Sequence, residues 1–101
     1  MATDEDKVFW DLVDAFIDKA NVACDEADPG IVSAALLNAA ARFNAFVVAS
    51  SSIDRKQYID EIESAQKYLT GRYHELVRNN LDDYRENYKV YIRPDDESES
   101  E

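Results

Sequence analysis

From Val32 to Ala49 nearly every residue is apolar, and a helix that is apolar around its circumference is stable in water only when other elements surround it. This run constrains the chain more than any other feature. Seven alanines lie between Ala34 and Ala49, interleaved with Leu36, Leu37, Phe43, Phe46, Val47 and Val48. It therefore predicts a central, buried helix. Phe43 and Phe46 would each contribute about 2 to 3 kcal/mol by burial, so Phe43→Ala is expected to be among the most damaging single changes.

What surrounds that helix follows from the rest of the chain. Only two Gly and two Pro occur in 101 residues, too few turn formers to connect many strands. A chain of this length can enclose one continuous core without disulfides or metals. From about Asp4 to Ala27, Phe9, Leu12, Val13, Phe16, Ile17, Ala20, Ala23 and Cys24 recur at three- and four-residue steps, the pattern of an amphipathic helix. Opposite them run Asp11, Asp14, Asp18 and Asp25, and Asp4, Asp11, Asp18 and Asp25 recur at seven-residue intervals, about 10 Å apart on a helix. Asp28-Pro29-Gly30 ends this helix and opens the second, with Asp28 or Ser33 as cap.

Ser50-Ser51-Ser52 reads as a short loop, and Asp54 with Gln57 as a capping box for a third helix whose inward face holds Ile59, Ile62, Leu69, Tyr73, Leu76 and Val77. Continued to Ile92 that helix would be about 58 Å long, beyond the size of a compact 100-residue domain. A break is expected at Asn79-Asn80, with a short fourth helix from Leu81 to about Tyr91. The run after Pro94 is acidic and cannot bury apolar area, so 94–101 is expected to be a disordered tail beyond a single domain over 1–93. The expected fold is all-α: an antiparallel three-helix bundle, a short fourth C-terminal helix and a disordered acidic tail.

Charge and cysteine usage narrow the function classes. The net charge is −11, with nine acids against two bases in residues 1–41, eight against eight in 54–93, and five acids in the tail. Such a surface repels nucleic acid and anionic lipid and attracts basic partners. The single cysteine, Cys24, makes no intrachain disulfide and belongs to no metal-ligand pattern. With an acidic N-terminus and no apolar run expected to approach the roughly 20 residues that span a bilayer, a cytoplasmic protein without membrane contact is expected.

No residue pattern points to catalysis. His74, the only histidine, has no companion ligands or nucleophile at helical spacing. Cys24 is followed by Asp25, Glu26 and Asp28, which oppose a reactive thiolate, and it reads as a small buried hydrophobe. Carboxylate pairs such as Glu61 with Glu63 and Asp82 with Asp83 read as solvated. Neither a cofactor nor a metal is expected.

Three features are candidates for binding. Asn38, Arg42 and Asn44 interrupt the apolar helix, either as an internal network in which Arg42 meets an acid of the first or third helix, or as the lining of a pocket for an anionic ligand. The stripe Asp11, Asp14, Asp18 and Asp25 is either a soluble face or a surface for a basic protein, its carboxylates standing where phosphates would in a nucleic-acid-binding cleft. Tyr84, Tyr88 and Tyr91 offer amphipathic area for an oligomer interface or fold back on the helices, leaving monomer and homodimer both open.

The segment Ala39-Ala40-Ala41-Arg42-Phe43-Asn44-Ala45-Phe46, with Asp14-Ala15-Phe16-Ile17 before it and Asn80-Leu81-Asp82-Asp83-Tyr84 after it, resembles a family of small bacterial proteins known only as a domain of unknown function. The resemblance covers about residues 8 to 91, and its most specific piece is Arg42-Phe43-Asn44-Ala45-Phe46. It implies a bacterial, cytoplasmic, helical protein and supplies no activity, cofactor or catalytic residue. The functional expectation is a non-enzymatic interaction or regulatory module whose acidic first helix meets a basic protein. A small anionic-ligand or enzymatic pocket at Arg42 and a homo-oligomeric structural unit are the alternatives.

Overall fold

The computed structural model describes residues 3–92. Among these the chain is all-helical: α1 (Asp4–Ala23), α2 (Pro29–Ser51), α3 (Arg55–Glu86) and the short α4 (Tyr88–Tyr91). The expected three long helices and short fourth helix are present. The acidic tail expected at 94–101 lies outside the described residues. Two compact units divide the chain, 1–51 and 52–101.

In the first unit α1 and α2 are in contact. Thr3 caps α1 reciprocally: its Oγ1 accepts from the Asp6 N–H at 3.0 Å and its own N–H donates to Asp6 Oδ2 at 3.3 Å. Asp4, Glu5 and Asp6 occupy the first turn, where negative charge meets the positive end of the helix dipole. The helix stops at Ala23, one turn earlier than its apolar pattern suggests, because Cys24–Ala27 close into a turn with Asp25 N–H bonded to Val22 O at 3.0 Å. Cys24 is the C-cap and is exposed. The expectation of a buried thiol is corrected by that position at the helix end. Asp28 Oδ2 accepts from Gly30 N–H at 3.0 Å and opens α2 as expected.

At its far end α2 continues through the predicted serine loop to Ser51. The Ser50 and Ser51 hydroxyls donate back to Val47 O, at 3.1 and 2.8 Å, and so keep the helix wound. The largest departure from expectation concerns burial. No described residue is buried, and Phe43 and Phe46 are 63% and 62% exposed. The expected burial of α2 is corrected accordingly: α1 is the element in contact with α2 in this unit, and one neighbouring helix covers only part of a largely apolar circumference. Phe43→Ala consequently removes little burial within the chain itself.

α2 also corrects the expectation that no apolar run approaches the length of a membrane span. It has 23 residues with a mean hydropathy of 1.6 in its most apolar window, long and apolar enough by length and composition to cross a bilayer. Asn38, Arg42 and Asn44 dilute that hydropathy without bringing it below the range of a span.

In the second unit Asp54 caps α3, its side chain accepting from Gln57 N–H at 2.9 Å, while Ile53 N–H donates to Gln57 Oε1. α3 then runs 32 residues without interruption, about 48 Å at 1.5 Å per residue. The break expected at Asn79-Asn80 does not occur, because the Asn80 side-chain amide donates to Leu76 O at 2.7 Å and follows the helix instead of capping it. The break falls at Asn87, and the fourth helix is four residues, not the eleven expected from Leu81 to Tyr91. The size of a compact domain placed the break too early, because the local hydrogen bond from Asn80 keeps the helix wound.

Candidate protein-interaction site

At about 100° per residue, α1 sorts its side chains into two opposed faces. Phe9, Val13, Phe16 and Ala20 share one. Asp11, Asp14 and Asp18 lie on the other within about 60° of arc, all exposed. Lys7 Nζ pairs with Asp11 Oδ2 at 2.9 Å, and among the described residues Asp14 and Asp18 have no cationic partner. Asp25 does not belong to the stripe: it lies beyond the C-cap, in the turn. Seven-residue spacing implied membership only while the helix was taken to continue through Ala27.

The cations of α3 are differently disposed. Lys56 pairs with Asp60 at 3.1 Å, Arg72 with Glu75 at 3.0 Å, Arg78 with Asp82 at 3.2 Å, and Arg85 with Asp82 at 3.5 Å. All lie on the helix's own surface, where each pair contributes about 0.2 to 0.5 kcal/mol. α3 thus neutralises most of its charge internally, whereas the α1 stripe keeps its net negative field.

α2 carries two apolar faces separated by polar seams. Val32, Leu36, Phe43, Phe46 and Val47 fall within about 100° of one another, and the Phe43 and Phe46 ring centroids are 5.9 Å apart. Ala34, Leu37, Ala41, Ala45 and Val48 form a second face, centred about 170° from the first. Asn38 and Arg42, one turn apart, occupy one seam, and Asn44 occupies the other with Ser33. All three of the expected polar residues are exposed, but the helix does not bring Asn44 together with the other two. Arg42 forms no ion pair among the described residues. Its guanidinium is exposed to solvent within the first unit.

The C-terminal tyrosines also divide. Tyr91 Oη–H donates to Asp83 Oδ2 at 2.8 Å, the Asn87 amide donates to Asp83 Oδ1 at 2.9 Å, and the Tyr84 and Tyr91 ring centroids are 4.6 Å apart. Tyr84 and Tyr91 are therefore engaged with each other, and Tyr88 lies exposed outside the cluster. The hydrogen bond to the Asp83 carboxylate raises the Tyr91 phenol above its ordinary range, reinforced by the negative charge of Asp83. The spacing Asp83, Asn87, Tyr91, two successive four-residue steps, could have identified this clasp. Thr3 with Asp6 could likewise have identified the first capping box.

His74 is exposed, as a surface histidine is expected to be. Among the described residues no three His, Cys, Asp or Glu side chains converge to hold a metal ion. In comparison with known proteins, a family model described as Protein of unknown function (DUF3144) matches residues 9–85. No curated protein and no solved structure matches.

Proposed function

The chain belongs to this family of unknown function, and from that premise we propose that it is a non-enzymatic interaction module whose α1 presents an acidic face to a basic protein. One observation carries the reading: Asp11, Asp14 and Asp18 are aligned and exposed, two of them without a cationic partner among the described residues, while most cations of α3 are held by their own helix. Uncompensated charge steers a complementary surface at long range and is screened by salt. A basic nucleic-acid-binding cleft is one surface that such a row of carboxylates fits, in the place of phosphates.

This reading keeps the chain in water and in the cytoplasm. Arg42 stands near the middle of α2, where a bilayer core would charge about 2.5 to 3.5 kcal/mol for it. The separation of Asn44 from Asn38 and Arg42 gives a ligand pocket no convergent lining.

The test is affinity capture from cell lysate with the wild-type chain and with Asp11→Lys/Asp14→Lys/Asp18→Lys, at low and raised salt. Loss of the captured protein in the variant and at raised salt is expected, with helix content unchanged by circular dichroism. Undiminished capture by the variant overturns the proposal.

A further inference from the structure

One residue separates α3 from α4. Asn87 has φ −124° and ψ 30°, whereas Glu86 before it and Tyr88 after it belong to helices. Turning φ by about 60° and ψ by about 70° would give Asn87 ordinary helical values and join the two helices into one. The sequence does not oppose that joining: Arg85-Glu86-Asn87-Tyr88-Lys89-Val90-Tyr91 contains neither Gly nor Pro, the residues most costly inside a helix. The backbone is already close to it. Asn87 N–H donates to Asp83 O at 3.0 Å and Tyr91 N–H to Asn87 O at 3.2 Å, both four residues back, while Val90 N–H donates to Asn87 O at 3.0 Å, only three back.

Two side-chain contacts exist only because the chain bends. In a continuous helix Asp83 and Tyr91 would stand about 12 Å apart along the axis, and both side chains would lean toward the N-terminus, Asp83 away from Tyr91. The phenol would fall short of the carboxylate that it meets here at 2.8 Å. Tyr84 and Tyr91, whose ring centroids are 4.6 Å apart, would be separated by about 10.5 Å, beyond the range of ring contact. The Asn87 amide, by contrast, lies four residues from Asp83 and reaches it in either form. The Tyr91 hydroxyl and the Tyr84 ring are therefore what distinguish the bent form from the straight one. We propose that the α3–α4 junction is a two-state hinge, bent while the Tyr91 hydroxyl donates to Asp83 and a continuous helix from Arg55 to Tyr91 once that bond is lost. Bending closes the Tyr84 and Tyr91 rings on each other. Straightening releases both rings, amphipathic area suited to a partner, together with the Asp83 carboxylate. The hinge thereby controls what this end of the second unit presents, and it does not depend on the acidic face of α1.

The test is nuclear magnetic resonance of the full chain, comparing the wild type with Tyr91→Phe, Asp83→Ala and Tyr88→Phe. In the wild type the Asn87 backbone carbons should have non-helical shifts, and the rings of Tyr84 and Tyr91 should show a nuclear Overhauser contact. Tyr91→Phe keeps the ring and removes only the hydroxyl. It should move the Asn87 shifts to helical values, create a contact between the Tyr84 α-proton and the Tyr88 amide, and abolish the ring contact. Asp83→Ala should do the same, whereas Tyr88→Phe, outside the clasp, should keep the bend. The proposal is overturned by a bend that survives in Tyr91→Phe or Asp83→Ala, by unwinding of residues 88–91 in those variants instead of their joining α3, by a straight wild type, or by straightening in Tyr88→Phe.

Discussion

Asp83 holds the end of α3 to α4 by accepting from both Asn87 and Tyr91, and this clasp gives the clearest residue-scale prediction. Tyr91 donates only while its phenol is protonated, and its pKa is raised by that bond. The contribution to α4 is therefore fully present below the unfolded phenol value of about 10 and is lost as pH rises through the higher folded value. Ultraviolet titration of the wild type and of Asp83→Asn should show the Tyr91 phenol ionising at lower pH in the variant. Identical titration curves for the two chains would contradict the clasp. At this scale the sequence was partly legible. Asp54 with Gln57 announced a cap from spacing alone, and Asp28 did so from its place before Pro29. For Arg42 the sequence left an internal carboxylate and an anionic-ligand pocket both open, because burial of α2 is set by its neighbours and not by its own residues.

At the scale of the element, periodicity located all three long helices, since apolar recurrence at three and four residues is a local property. The ends were harder to read. α1 ends before Ala27, α2 passes through the serine run, and α3 passes Asn79-Asn80, in each case through hydrogen bonds that compete with the expected cap. Gly71 lies inside α3, and a Cβ added there meets nothing within 4 Å. Gly71→Ala should therefore stabilise the chain by about 1 kcal/mol through helix propensity and reduced freedom of the unfolded chain, seen as a higher thermal midpoint by circular dichroism. A lowered midpoint would mean that the open surface at Gly71 is occupied in solution by another helix.

For the whole molecule, composition established that the chain is helical and acidic, but it could not show which apolar faces the chain covers. α2 was read as central because it is apolar all round, and that inference holds only if enough helices are available to surround it. Among the described residues none is buried, and Phe9, Trp10, Phe16, Phe43 and Phe46 are each more than half exposed. The α1 stripe of Asp11, Asp14 and Asp18 is the surface proposed to steer a basic protein.

Affinity capture at low and raised salt, with the wild-type chain and with Asp11→Lys/Asp14→Lys/Asp18→Lys, tests most directly the claim that α1 presents an acidic face to a basic protein. The account predicts a basic protein that is captured by the wild type and lost both in the variant and at raised salt. A basic protein held equally by both chains at both salt concentrations would contradict it.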